Sequence, residues 1–228
     1  MCGRFTLTAL LADIMHRFEI GKASHIPSYH PAYNIAPGQL VLAIINDGTM
    51  NRLGYLRWGL VPHWASDERI GYRLINARAE TLEQKPSFRD AFQKRRCLII
   101  ADSFYEWRHS ATGEKTKQPY RFQLKDNALF AMAGLWESWI NPSSALRTYT
   151  CTIVTTVANH EVQPFHDRMP VIFAQAEECQ WLRRSAMGKD SLAHMLRTTD
   201  APLTVYPVSS AVNTVQNDSP ELIKAVRL

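Results

Sequence analysis

The sequence predicts an α+β protein with a mainly antiparallel, barrel-like β core flanked by short helices. Nine short apolar runs follow one another along the chain, and turn residues separate most of them. Only a few segments have apolar residues at helical spacing. Many short strands with few helices are typical of such a core, and we expect one domain over residues 1–228.

The sequence predicts one helix near the N-terminus, followed by nine strands and three shorter helices. The first helix covers residues 8–19, with Thr8 as its N-cap, because its apolar residues recur at helical spacing. The shorter helices are predicted over 87–94, 176–184 and 190–197. The predicted strands are 40–45, 50–61, 72–78, 97–107, 120–124, 129–136, 149–157, 170–174 and 202–208.

Two of these strands carry polar side chains on the same face as apolar ones. In the run 97–107, alternate residues from Leu98 through Asp102 to Glu106 share a face that begins apolar and ends in carboxylates. Asn76 and Arg78 share a face in the same way. This pattern indicates strands that leave the core and open into a cleft, although polar groups at strand ends that face water fit it equally well.

Composition and simple motifs argue against a membrane protein, a secreted protein and a metal-binding protein. No apolar run is long enough to span a membrane, and the N-terminus has no signal-peptide pattern, so we expect a cytoplasmic protein without membrane contact. The four cysteines lie far apart without a C-x-x-C pair, which suits a reducing compartment. No metal-binding motif is present, and we expect no metal or cofactor. The net charge of +5 suits a polyanionic partner but is a weak signal.

A cysteine directly follows the initiator methionine in the opening string MCGRF. Removal of Met1 would expose a primary amine and a thiol on one residue, Cys2. No internal residue offers that pair, although chance occupancy of position 2 is the simpler interpretation.

Six strings in this order resemble the SOS response-associated peptidase family. They are MCGRF (1–5), YNIAPGQ (33–39), WGLVPHW (58–64), NARAE (76–80), FYEW (104–107) and HDRMP (166–170). The resemblance continues to PVSSAVN and PELI near the end, so it covers essentially the whole chain. It implies a monomer of the bacterial cytosol that attaches covalently to abasic sites in single-stranded DNA.

The resemblance also implies the roles of four catalytic residues. Cys2 would supply the amine and the thiol that close a thiazolidine ring on the aldehyde of the lesion. Glu106 would move protons, and His166 would protonate the sugar ring oxygen or the departing hydroxyl. Asn76 would hold the N-terminal cysteine by a hydrogen bond.

Further residues are implied as DNA contacts. Arg4, Arg78 and Arg168 would bind phosphates, since guanidinium groups match phosphate oxygens. Stacking surfaces for bases would be Pro37 and Trp64, with Trp107 as a further candidate that fits a core role equally well. Thr155 would be a further site residue. The chain departs from some relatives at Ala65 and in the charged segment 65–72, and these departures fall in the expected stacking surface rather than among the catalytic residues.

Two alternative functions stay open at this point. Cys2, His166 and Glu106 would also suit a cysteine peptidase that acts mainly on its own N-terminus. A non-covalent single-strand binder would need only the basic groups and Trp64, and retention of Met1 would favour it.

Overall fold

The computed structural model describes residues 2–20, 26, 28–109, 117–183, 192 and 194–228. Within these residues the chain forms three α-helices and twelve strands, together with four short 3₁₀ helices. The helices are α1 (Leu11–Arg17), α2 (Pro86–Lys94) and α3 (Gln175–Leu182). The strands are β1 (Phe5–Leu7), β2 (Ala32–Ile35), β3 (Leu40–Asn46), β4 (Asn51–Trp58), β5 (Asn76–Arg78), β6 (Arg96–Ala101), β7 (Ser103–His109), β8 (Lys117–Leu124), β9 (Phe130–Ile140), β10 (Arg147–Val157), β11 (Arg168–Pro170) and β12 (Leu203–Pro207). The 3₁₀ helices are Glu68–Arg73, Ala79–Thr81, Ser210–Asn213 and Pro220–Ile223.

Five strands close into a barrel. β4, β3, β6 and β9 are joined by antiparallel pairs, and β10 pairs antiparallel with β9 and parallel with β4. β11 and β5 extend this sheet along β10. The interior is tightly packed, since a Cβ on Gly134 would lie 2.7 Å from the Cys97 sulfur. The mainly antiparallel, barrel-like core with short helices is thus confirmed.

A second sheet of five strands lies beside the barrel in the order β12-β8-β7-β1-β2. β7 pairs with β8 on one side and with β1 on the other, so it is an inner strand. The chain enters this sheet directly from barrel strand β6. Because Cys2 precedes β1 and Glu106 lies on β7, this sheet positions both ends of the expected site.

The single strand predicted over 97–107 is wrong, because the chain breaks at Asp102 and changes sheets there. The Asp102 carboxylate is buried and accepts hydrogen bonds from Thr6 and Thr8, and it lies 3.6 Å from the Arg121 guanidinium. These side-chain bonds replace strand pairing at the corner. They also explain why Thr8 does not cap α1, which begins only at Leu11.

Two other strand predictions are only partly correct. Residues 68–73 form a 3₁₀ helix, so the strand predicted over 72–78 is reduced to β5. Of the run 170–174, only Pro170 belongs to a strand, as the last residue of β11, and Ile172 makes an isolated bridge. The helix predicted over 190–197 lies partly outside the described residues.

Helices α2 and α3 are joined at their C-terminal ends by one buried arginine. Arg96 donates to the carbonyl oxygens of Phe92 and Gln93 at 2.8 Å and to that of Trp181 at 2.7 Å. A further bond reaches the carbonyl of Arg183. The positive group therefore satisfies the free carbonyls that end both helices.

We expect Arg96→Met to lower the free energy of unfolding by about 3 kcal/mol or more, because it leaves several buried carbonyls without donors. Urea denaturation measures the change. Arg89→Met is the matched control, since Arg89 lies on α2 with an exposed side chain, and we expect it to alter stability by less than about 0.5 kcal/mol. Equal effects of the two substitutions would show that the cap does not stabilise the fold.

None of the helices in the described parts of the chain has both the length and the apolar character needed to cross a membrane.

Candidate active site

Cys2 lies fully buried in front of β1. Its sulfur accepts a hydrogen bond from the backbone N–H of Arg4. Burial raises the pKa of the Cys2 thiol well above its ordinary value, and the negative charge of nearby Glu106 raises it further. The thiol is therefore protonated at neutral pH, and it needs a base in order to react.

Asn76 contacts Cys2 directly. It stands at the start of β5, opposite Ile153 of β10, and its Nδ2 donates to the Cys2 carbonyl oxygen at 2.9 Å. Its Oδ1 is buried and has no hydrogen-bond partner among the described residues. A buried amide oxygen of this kind can accept an N–H from a group that enters the site.

Glu106 lies on β7 and is only 4% exposed. Because the side chain is buried, the alternative that this residue faces water at a strand end is wrong. Burial raises the pKa of the carboxyl group from its ordinary 4.5 to about 7. At neutral pH Glu106 exists in both protonation states, which suits a group that both accepts and donates protons.

His166 lies in the segment that precedes β11. Its Nδ1 is 2.9 Å from the backbone N–H of Arg168, and partial burial lowers the pKa of the imidazole. The ring is therefore neutral at neutral pH. The charge of the next residue, Asp167, raises the pKa of Glu106, so this segment borders the carboxylate. Four segments distant in sequence thus meet around Cys2.

The three predicted phosphate ligands differ in their availability. Arg78 is exposed at the end of β5. Arg4 instead donates to Asn34 Oδ1 at 2.6 Å and to the Val212 carbonyl at 2.7 Å. Arg168 is buried, with both terminal nitrogens bonded to Glu80. Arg78 is thus the most exposed of the three and Arg168 the most buried, and phosphate binding by all three stays a prediction.

Thr155 is almost completely buried. It is 1% exposed on β10, between its partners Arg78 on β5 and Pro170 on β11. Its hydroxyl lies 3.5 Å from the Ala77 carbonyl. In this structure Thr155 is a packed member of the sheet, and its contact with DNA stays a prediction.

The three residues predicted to stack against bases differ in their exposure and packing. Trp64 is 53% exposed beside an open groove of about 430 Å³, and Pro37 is half-buried. Trp107 donates from its Nε1 to Asn213 and packs in a small cluster with Tyr105 and Val212, so the core role that its sequence context allowed describes it better than stacking.

The loop that carries Trp64 is positioned by a close backbone contact. Gly59 has a φ of +128°, and a Cβ there would lie 2.9 Å from the Gly71 carbonyl oxygen. Only glycine allows the loop after β4 to approach the 3₁₀ helix 68–73 this closely. Trp64, Arg69 and Arg73 consequently line the same groove.

Two residues of the site were not predicted. Asn34 accepts from Arg4 and donates to the carbonyls of Thr214 and Asn217, which fastens the C-terminal segment behind the site. Glu80 forms the bidentate pair with Arg168. Both residues belong to strings that carried the resemblance, YNIAPGQ and NARAE. That membership is a signal which could have identified them.

No cluster of three or more His, Cys, Asp or Glu side chains suitable for a metal ion occurs within the described ranges.

The comparisons with known proteins agree with one another. The family model described as SOS response associated peptidase (SRAP) matches residues 1–215. "Abasic site processing protein YoqW" of Bacillus subtilis is 51% identical over 226 residues, which cover 99% of this chain and 100% of that protein. "Abasic site processing protein HMCES" of Gallus gallus is 30% identical over 231 residues, which cover 88% and 68%.

Solved structures have the same architecture. A crystal structure of a protein from Bacteroides thetaiotaomicron superposes with a TM-score of 0.86 at 26% identity and covers 99% of this chain and 100% of that one. A protein from Bordetella bronchiseptica gives a TM-score of 0.71 at 25% identity over 91% and 100% of the two chains. Because the family model matches residues 1–215 of its 228 residues, this chain belongs to the SOS response associated peptidase family.

Proposed function

We propose that this protein processes abasic sites in single-stranded DNA by linking itself covalently to the lesion through Cys2. The observation that carries the proposal is the hydrogen bond from Asn76 to the Cys2 carbonyl, which holds Cys2 beside a buried carboxylate with a pKa of about 7. The names of the relatives, abasic site processing proteins, support the choice of lesion.

The first step is imine formation. Hydrolysis of the bond between Met1 and Cys2 frees the α-amino group of Cys2. That amine attacks the C1′ aldehyde of the opened deoxyribose, and one water leaves as the imine forms. A terminal amine has a pKa near 7.7–8.0 and a lysine near 10.4, so at neutral pH the terminal amine is unprotonated roughly hundreds of times more often. His166, as a neutral imidazole, can donate a hydrogen bond to the departing oxygen.

The second step closes the ring. The Cys2 sulfur adds to the imine carbon while the thiol proton moves to the imine nitrogen, so a thiazolidine with a secondary amine results. Since the thiol is protonated at neutral pH, ionised Glu106 is the base that can take this proton and deliver it. Both nucleophiles belong to one residue, and this makes the closure intramolecular.

The alternative of a cysteine peptidase is less well supported. The names of the relatives describe abasic site processing, which favours the reaction in which both the amine and the thiol of Cys2 take part. We propose instead that any lyase or self-processing activity is secondary. We further propose that the protein acts as a monomer on DNA in the bacterial cytosol.

We expect Glu106→Gln to slow adduct formation by roughly a hundredfold or more, which is the usual contribution of a positioned acid or base. Affinity for undamaged single-stranded DNA should stay within a few-fold, because the buried carboxylate acts on the reaction rate whereas the exposed Arg78 is an expected phosphate ligand. Gel analysis of adduct formation over time measures the rate. Parallel loss of DNA binding would instead assign Glu106 a structural role.

The pH dependence of the free energy of unfolding is a second way to distinguish a catalytic from a structural role of Glu106. The folded pKa of Glu106 is raised, so between about pH 4.5 and 7 the folded protein holds a proton that the unfolded chain has released, and stability falls as pH rises. Above that window Glu106→Gln should be more stable than the wild type, by up to about 3 kcal/mol. Glu137→Gln is the control: Glu137 is equally buried but accepts from Arg95 at 2.7 Å, so this substitution should destabilise the protein.

A further inference from the structure

The Nδ1 atom of His166 has two neighbours that compete for it. The backbone N–H of Arg168 is 2.9 Å away, and the Asp167 Oδ1 is 2.8 Å away. The N–H can only donate, so it requires an unprotonated Nδ1. The carboxylate can only accept, so it requires a protonated Nδ1. A neutral ring can satisfy only one of these two neighbours. Which neighbour it satisfies decides whether Nδ1 or Nε2 carries the ring hydrogen.

Solvent exposure decides this competition. The Asp167 carboxylate is 82% exposed and stays hydrated without the histidine. Arg168 is buried, and its N–H would lack this acceptor if Nδ1 were protonated. A buried donor left without an acceptor costs about 1–3 kcal/mol, whereas an exposed ion pair contributes little. Nδ1 is therefore the acceptor, and the hydrogen of the neutral ring is on Nε2.

Glu80 fixes the residue whose backbone makes this bond. Its two carboxylate oxygens accept from the two terminal nitrogens of Arg168 at 2.7 and 2.9 Å. One of these nitrogens also donates to the Thr155 carbonyl at 2.6 Å. The side chain of Arg168 is thereby held to β10 and to the 3₁₀ turn after β5. Its main chain, paired opposite Val157, is held in the same place.

We propose that Glu80 is a positioning residue which, by anchoring Arg168, keeps the backbone N–H of Arg168 on Nδ1 of His166 and so presents Nε2–H to the substrate. The catalytic consequence rests on the function proposed above, whereas the ring tautomer does not. Arg168 has a positioning role in this arrangement, and its side chain faces Glu80 and Thr155.

The first test reads the tautomer directly in DNA-free protein. Two-bond ¹H–¹⁵N correlation spectra, recorded well above the ordinary histidine pKa of about 6.5, distinguish protonated from unprotonated ring nitrogens, and a His166→Gln variant assigns the signal. We expect Nε2–H for His166 in the wild type. In Glu80→Ala the Nδ1–H form should increase, because the bond from Arg168 loosens and Asp167 competes better. Nδ1–H in the wild type, or unchanged signals in Glu80→Ala, would overturn the proposal.

The second test measures the rate of adduct formation. Glu80→Ala should slow it by about tenfold or more, since a misplaced tautomer impairs acid–base catalysis. Glu80→Gln retains one acceptor oxygen and should restore part of the rate. Glu83→Ala, an exposed glutamate in the same segment, is the matched control and should behave as the wild type. If Glu80→Ala fails to fold, Glu80→Gln still tests the tautomer.

The outcomes distinguish this proposal from the proposed function. Absence of any adduct with the wild type would reject the function but leave the spectra of His166 interpretable. A normal adduct rate in folded Glu80→Ala, with a changed tautomer, would reject the catalytic importance of the anchor. Equal slowing by Glu80→Ala and Glu83→Ala would show a general effect of the segment and would also overturn it.

Discussion

We expect the purified protein to lack Met1 and to form an adduct with single-stranded DNA containing an abasic site that survives heat and detergent. The Cys2→Ala variant keeps the terminal amine but loses the thiol. It can therefore form only an imine, which hydrolyses unless a chemical reductant traps it. Ring closure within one residue is worth several kcal/mol, so the yield of stable adduct should fall by about a hundredfold or more.

The chain offers a matched control for this substitution. Cys179 on α3 is an exposed free cysteine, and Cys179→Ala should leave the yield unchanged. Intact-mass measurement establishes whether Met1 is present, and denaturing gels measure the adduct. An equal yield from Cys2→Ala without reductant would exclude the thiazolidine. A Cys179 requirement would move the reaction to another part of the molecule.

A second version of the experiment tests the amine separately. An N-terminal extension that is not removed keeps the Cys2 thiol but converts its amine into an amide. We expect no adduct from this protein, even though it retains every side chain of the site. An adduct that forms in spite of the extension would indicate direct thiol chemistry, as in the peptidase alternative.

The second large effect concerns the strandedness of the substrate. Abasic sites in single strands should react about a hundredfold or more faster than sites within a duplex, since unstacking and unpairing cost a few kcal/mol per step. The half-exposed Trp64 beside its groove, together with Pro37, would occupy the space of stacked neighbours. Initial rates on matched single-stranded and duplex oligonucleotides measure the ratio. Comparable rates on the two substrates would show that the site does not exclude a second strand.

Phosphate contacts make a distinct contribution that the same substrates can measure. Arg78→Ala should weaken binding to every sequence alike and reduce the slope of log affinity against log salt by about one. Arg52→Ala is the control, because Arg52 is paired with Asp47 in the β3–β4 hairpin. If both variants bind as the wild type does, Arg78 is not a phosphate ligand.

Most of the fold was predictable because strand patterns are local. The runs 40–45 and 149–157 are apolar, rich in β-branched residues and bounded by turns, and they became β3 and β10. The break at Asp102 was not predictable, since alternation continues through it. The corner depends on hydrogen bonds between Asp102 and the N-terminal segment. The Asp102 N–H donates to the Thr6 carbonyl, and the Asp102 carboxylate accepts from Thr6 and Thr8.

The strings that carried the resemblance predicted which residues belong to the site but not the environment of each one. Glu106 and Asn76 were predicted from their motifs, yet the raised pKa of Glu106 depends on its burial in the folded protein. The sequence likewise predicted Arg168 and Thr155 as polar residues of the site. The side chain of Arg168 bonds to Glu80, and that of Thr155 is buried between β5 and β11.

By itself the sequence determined the family, the strand-rich core and the position of Cys2 behind the initiator. These properties depend on residues that are close together in the sequence, so short motifs and the pattern of apolar and polar residues are sufficient to predict them. Tertiary structure alone decided that the barrel closes through β10, that Glu106 is buried and that Arg4 and Arg168 pair with Asn34 and Glu80. Each of these depends on burial and on hydrogen bonds between residues far apart in sequence, because pKa values and side-chain directions are set by spatial neighbours.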